Sequence, residues 1–171
     1  GMMAYELSYQ MKIKWNVEPK VLFVGGSWPP QLYNLLFTKD GVRRPLSILN
    51  DDRFIEAIKR WGGIPEGSHS NLIDIKSILP VLRADFVMLE DYKFDPEKIL
   101  NTEIYAFGGE YDEESVMVIS EWAKLTKGKF NLEILEKEGH FFVNTSWQYL
   151  VKKIVQVVRE KDQANLLKVV I

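Results

Sequence analysis

The chain has 171 residues, 46% of them hydrophobic and 12% aromatic, enough for one ordinary globular domain with its own core. A formal net charge of −2 supplies no basic field for phosphate neutralisation, which argues against nucleic acid, and the absence of cysteine excludes disulfides, thiolate metal sites and cysteine nucleophiles. No run approaches the ~18 consecutive apolar residues of a membrane span, and no charged-then-apolar signal layout opens the sequence, so no membrane partner and a cytoplasmic location are expected.

The stretch Met2 to Leu7 is rich in helix formers and lacks β-branched residues. A helix is therefore predicted over 3–14, despite the alternation of Leu7, Tyr9, Met11, Ile13 and Trp15. Val21-Leu22-Phe23-Val24 is a short apolar run stopping at Gly25-Gly26, the pattern of a strand buried on both faces. Residues 29–46 are turn-rich. Asp51 or Asp52 is expected to cap a helix running to about Trp61, ended by Gly62-Gly63, with a polar loop from Pro65 to Ser70. A long helical stretch from about Asn71 to Tyr92 is expected to break near Leu79-Pro80, because proline removes a helix hydrogen bond.

A cleaner rhythm follows. Ile104 to Phe107 reads as a strand entering Gly108-Gly109, and residues 114–125 as a helix with Trp122 and Leu125 toward the core. Phe130 to Leu135 alternates like a strand and leads into Glu138-Gly139-His140. Thr145 or Ser146 then starts a helix through Val158. Strand, helix, strand, helix is the order of a parallel α/β sheet with right-handed crossovers. Three parallel strands make a thin sheet, and one edge should be bare.

His140 stands just after a predicted strand, at the end where open α/β sheets place ligands. Gly139 permits a tight turn, and Phe141-Phe142 can anchor the loop. Taken alone, His140 fits a general base or a solvent-exposed loop histidine equally well. Asp112 follows the preceding strand's Gly108-Gly109 turn on the same rim. An acid on one strand end and a histidine on the next form the orienting half of a Ser-His-Asp triad. Glu110, Glu113 and Glu114 compete for the acid's role, and a plain solvated acidic turn is the alternative.

Three ordered motifs carry a resemblance. Leu79-Pro80-Val81-Leu82-Arg83-Ala84-Asp85-Phe86 with Glu90-Asp91-Tyr92 resembles the end of the lid region in type II thioesterases of the α/β-hydrolase superfamily. Ile104 to Asp112 resembles their catalytic-Asp stretch, and Gly139-His140-Phe141-Phe142 their catalytic-His stretch, with Trp122 between. The similarity extends to about residue 158. It implies hydrolysis of acyl thioesters on the phosphopantetheine arms of acyl- or peptidyl-carrier proteins in polyketide and non-ribosomal peptide synthesis. It also implies Asp112 and His140 as catalytic residues beside a serine nucleophile, a covalent acyl-enzyme and a backbone oxyanion hole.

The 171 residues contain no G-x-S-x-G elbow. In the family, the helix following that elbow reads like Met3-Ala4-Tyr5-Glu6-Leu7, so the sequence is expected to begin just past the serine. Ser27 follows a strand, but Pro29 and Pro30 stand where a glycine and a helix are needed, which favours a structural turn. Arg83 and Asp85 fit a charged helix face, Lys152-Lys153 a solvated basic pair, and His69 an exposed loop. Two distant histidines without cysteine supply no metal site, and Gly108-Gly109 is no dinucleotide fingerprint, so no cofactor or metal is expected. The expected fold is a truncated α/β-hydrolase: one partial domain of about three parallel strands flanked by helices, with a helical lid at 47–100. The bare strand edge or the first helix is expected to be covered by a second copy in a homodimer, or by a partner. The alternative is a non-catalytic fragment or carrier-binding module.

Overall fold

A computed structural model describes residues 1–60 and 72–169. The chain divides into two units, one of Gly1–Pro29 with Pro96–Ile171 and the other of Pro30–Asp95.

The first unit opens with helix α1, Met2–Trp15. Met2, Tyr5 and Ser8, spaced by three, turn inward, while Met3, Leu7, Ile13 and Trp15 remain exposed. Asn16 stops the helix in the left-handed conformation (φ 54°), and its N–H donates to the Lys12 carbonyl at 3.0 Å. Strand β1, Val21–Gly25, follows.

The second unit begins with a 3₁₀ turn at Pro30–Leu32 and the short helix α2, Tyr33–Leu36. A two-stranded hairpin comes next, β2 (Thr38–Lys39) against β3 (Val42–Arg43). Its Asp40-Gly41 loop has φ of 53° and 72°, the double positive φ of a type I′ turn. Helix α3, Asp51–Arg60, is capped by Asn50, not by Asp51 or Asp52: the Asn50 side chain accepts from the Arg53 N–H at 3.0 Å. Asp51 and Asp52 occupy the first turn, where carboxylates favour the helix dipole. Helix α4, Leu72–Glu90, runs unbroken through Pro80. The missing proline N–H is outweighed by burial of Leu79 and Ile75 against Phe54, Ile55 and Ile58. Arg83 does not form a solvated face. It donates to the Ser47 carbonyl at 2.6 Å and to Asp51 at 2.7 Å, and lies over the Phe54 ring. Trp61, the Gly62-Gly63 stop, the 65–70 loop and His69 lie outside the described residues.

Back in the first unit, β4 (Glu103–Gly109) is the central strand, buried along nearly its whole length. The expected single helix at 114–125 is instead a short α5, Glu113–Val116, and a 3₁₀ helix, Ile119–Leu125. The β-branched cluster Val116, Val118 and Ile119, with Ser120, has poor α-helix propensity, and i→i+3 bonds such as Glu121 N–H to the Val118 carbonyl replace the longer ladder. Strand β5, Phe130–Leu135, precedes the short α6, Phe142–Thr145. The last helix, α7, spans Trp147–Val169, well past the predicted end. Ser146 accepts its first intrahelical bond, from the Leu150 N–H. Lys153 is not free in solvent but pairs with Glu133 at 3.2 Å.

The sheet order is β1-β4-β5, all parallel, as the sequence rhythm predicts. Val21 to Gly25 pair with Glu103 to Phe107, and Ile104 to Gly109 pair with Phe130 to Leu135. Phe23, Tyr105, Phe107 and Leu135 project to one face, where Phe142 and Leu150 cover them. Gly108, one residue over, meets Ile119 on the other face, where the 3₁₀ helix lies. There the fully buried Trp122 stacks edge-on against Tyr5 at 6.0 Å and donates to the Ser27 carbonyl at 2.9 Å. Trp122 thus joins α1, the β1 turn and the sheet face. Trp122→Ala is expected to cost about 3–5 kcal/mol in urea unfolding. A loss under about 1 kcal/mol would remove Trp122 from this role.

Candidate active site

Parallel pairing brings the C-terminal ends of β1, β4 and β5 to one rim, and the three turns leaving it meet there. Gly109 makes the meeting possible. A Cβ at Gly109 would stand 2.4 Å from the Gly139 carbonyl oxygen and 2.6 Å from that of Glu138, so any side chain would expel the β5 loop. With glycine present, the two loops lace together. Glu110 N–H donates to the Leu135 carbonyl at 3.0 Å, and Tyr111 N–H to the Glu138 carbonyl at 2.8 Å. The Glu110 carboxylate accepts from the Lys137 N–H at 2.7 Å. Lys137 itself is left-handed (φ 60°), turning the chain off the strand toward His140.

The lacing places His140 Nδ1 2.7 Å from Asp112 Oδ2. A carboxylate only accepts, so Nδ1 carries the proton and the Nε2 lone pair is free to take one. The imidazole side chain is 38% exposed and the carboxylate 11%, so the acid is covered while the ring can be reached. Asp112 Oδ1 also accepts from the Ser115 N–H at 3.4 Å, at the start of α5. Burial would raise the Asp112 carboxyl, but the bonds from His140 and Ser115 outweigh it and hold the group below its ordinary value. The rival acids are placed elsewhere: Glu110 braces the β5 loop, and Glu113 and Glu114 are exposed in the first turn of α5.

Two further segments border the pair. Gly26 (φ 53°) closes β1, and a Cβ on it would stand 3.2 Å from the His140 carbonyl oxygen and 3.7 Å from ring Cε1. Beside it, Gly1 at the head of α1 packs on Ser27 and Trp122. Phe141 meets the His140 ring edge-on at 4.9 Å. Ser27 Oγ donates to the Trp28 carbonyl at 3.3 Å. Among the described residues, no serine hydroxyl bonds His140, and no group of acids and histidines could hold a metal. No helix among them is long and apolar enough to cross a membrane. A cavity of about 250 Å³ lies away from the pair, between β5 and α7, bordered by Tyr105, Asn131 and Gln156. The roles that the sequence did not flag are Glu110 and Glu138 as braces and Gly26 as a close neighbour of His140. The glycine pair at 25–26 was the available signal for the last.

A family model described as a thioesterase domain matches residues 1–160. The chain is similar to the thioesterase PikA5 of Streptomyces venezuelae, 27% identical over 152 residues that cover 88% of this chain and 51% of that protein. It is similar to the gramicidin S biosynthesis protein GrsT of Aneurinibacillus migulanus, 26% identical over 160 residues that cover 93% and 59%. Among solved structures, the RedJ thioesterase from the prodiginine biosynthetic pathway of Streptomyces coelicolor matches with a TM-score of 0.77 and 29% identity, covering 90% of this chain and 58% of that one. The chain thus spans between half and three-fifths of the length of these relatives. The match spans the α/β sheet and all three motifs, and the protein belongs to the thioesterase domain family.

Proposed function

We propose that this chain carries the acid–base pair of a serine thioesterase acting on acyl groups held by the phosphopantetheine arms of acyl- or peptidyl-carrier proteins. The observation that carries this reading is the 2.7 Å His140–Asp112 bond on the sheet rim of a thioesterase-domain chain. In the proposed reaction, His140 Nε2 accepts the proton of a serine hydroxyl as that oxygen attacks the thioester carbonyl. The imidazolium returns the proton to the departing pantetheine thiolate, and Asp112 stabilises the imidazolium throughout. Water then repeats the sequence on the acyl-serine.

The serine of this scheme comes from a segment outside these 171 residues, which contain no G-x-S-x-G. A second reading, a non-catalytic module that binds carrier proteins, draws support from the engagement of Ser27 Oγ with a backbone carbonyl. The names of the relatives, a gramicidin S biosynthesis protein and a prodiginine-pathway thioesterase, support assembly-line carriers as partners under either reading.

The far edge of β1 carries no strand among the described residues, and α1 exposes Met3, Leu7 and Trp15. A second copy covering these surfaces is the proposed state in solution.

Two measurements follow. The purified chain should hydrolyse an acyl-pantetheine thioester no faster than buffer, since loss of a triad nucleophile costs on the order of a million-fold. Turnover abolished by His140→Ala, or a fluorophosphonate label on Ser27, would show a nucleophile within the chain. Light scattering should return twice the 19.9 kDa chain mass, and a monomer at micromolar concentration would dismiss the homodimer.

A further inference from the structure

We infer that Glu138 is the positioning residue for His140, fixing the imidazole against Asp112 by tying its loop to two elements at once. The backbone of Glu138 reaches toward β4, where its carbonyl accepts from the Tyr111 N–H at 2.8 Å, one residue before Asp112. Its side chain reaches the opposite way. One carboxylate oxygen accepts from Thr145 Oγ1 at 2.5 Å and the other from Ser146 Oγ at 2.5 Å, where α6 ends and α7 starts. One residue therefore spans from the turn of the acid to the head of the last helix.

The clamp has a job because of Gly139. On its Cβ side Gly139 faces open space, where a Cβ would meet nothing within 4 Å. On that side nothing packs against the backbone between Glu138 and His140, while Gly109 backs it on the other. On its carboxyl side, the Phe142 N–H donates to the Gly139 carbonyl at 3.2 Å, a long bond. The two hydroxyl bonds to an ionised carboxylate are of the stronger, charge-assisted kind. They hold the Glu138 carboxyl below its ordinary value, Ser146 first and Thr145 second. The positioning claim stands on this geometry. Its importance for catalysis rests on His140 being the base of the proposed thioesterase.

The test is nuclear magnetic resonance of the full chain labelled with ¹⁵N-histidine. There are two histidines, and His69→Gln assigns the remaining signals to His140. The wild type should show a low-field Nδ1–H proton and an unprotonated Nε2, and Asp112→Asn should move that proton upfield. Glu138→Ala should erase the low-field signal and mix the two tautomers, and so should the double variant Thr145→Val with Ser146→Ala. Glu138→Gln, which keeps one accepting oxygen, should retain the signal in part. Cooperative thermal unfolding of each variant confirms that it is folded. A residue that only caps α7 would lower the melting temperature and leave the His140 signal unchanged, and that outcome overturns the inference. A wild-type signal indifferent to Asp112→Asn would overturn the pair itself, and the inference with it. Loss of the signal in Glu138→Ala upholds positioning whatever becomes of the thioesterase reading, which hydrolysis assays test separately.

Discussion

The contact between the His140 ring and the Asp112 carboxylate ties the ends of two neighbouring strands, and much of the first unit is arranged so that it can form. The two residues are 28 apart in sequence and belong to different loops. Parallel pairing of β4 with β5 sends both loops off the same rim, and the register Gly109↔Leu135 sets how far each must travel. Gly109 then lets the backbones touch. The proposed role of His140 as a base needs a fixed tautomer and a fixed ring plane, and an acceptor-only carboxylate, mostly covered by protein, favours both.

Glutamates do much of the loop bracing in this chain. Glu18 accepts from the Asn101 N–H and side-chain amide, securing the approach to β4. Glu90, almost wholly buried, accepts from the N–H groups of Leu46 and Ser47 inside the second unit. Glu110 and Glu138 hold the loop that carries His140. With no cysteine for disulfides, irregular segments are tied by charge-assisted hydrogen bonds to backbone and hydroxyl donors. These bonds leave few loop donors unmade, which is worth more than their modest net energy in water.

The sheet was legible because its signals are local: short apolar runs ending in glycine pairs mark β1 and β4, and alternation marks β5. Strand-end position made Asp112 and His140 candidates, and the resemblance to type II thioesterases singled them out. The misread elements depended on competition between local preference and packing. Pro80 reads as a break, yet burial around Leu79 carries α4 through it. Val116, Val118 and Ile119 look apolar enough for a helix face, while their branching splits the segment into α5 and a 3₁₀ turn. The Asp40-Gly41 hairpin had a plain type I′ signature inside a stretch read only as turn-rich. Residue types alone left Asp112 and Glu110 open and only the resemblance separated them, because the choice depends on which carboxylate faces the ring and which faces Lys137. The role of Glu138 was hidden for the same reason: its partners lie seven and eight residues on, across a helix boundary.

The central claim is the proposal that His140 and Asp112 form the acid–base pair of a serine thioesterase. The most direct measurement joins to this chain the part of the RedJ thioesterase that it does not span, and follows hydrolysis of an acyl-pantetheine thioester. The account predicts turnover that falls at least ~10³-fold in His140→Ala and in Asp112→Asn, as expected for members of one triad. A folded chimera whose serine takes up a fluorophosphonate, yet whose turnover is indifferent to both substitutions, would contradict it.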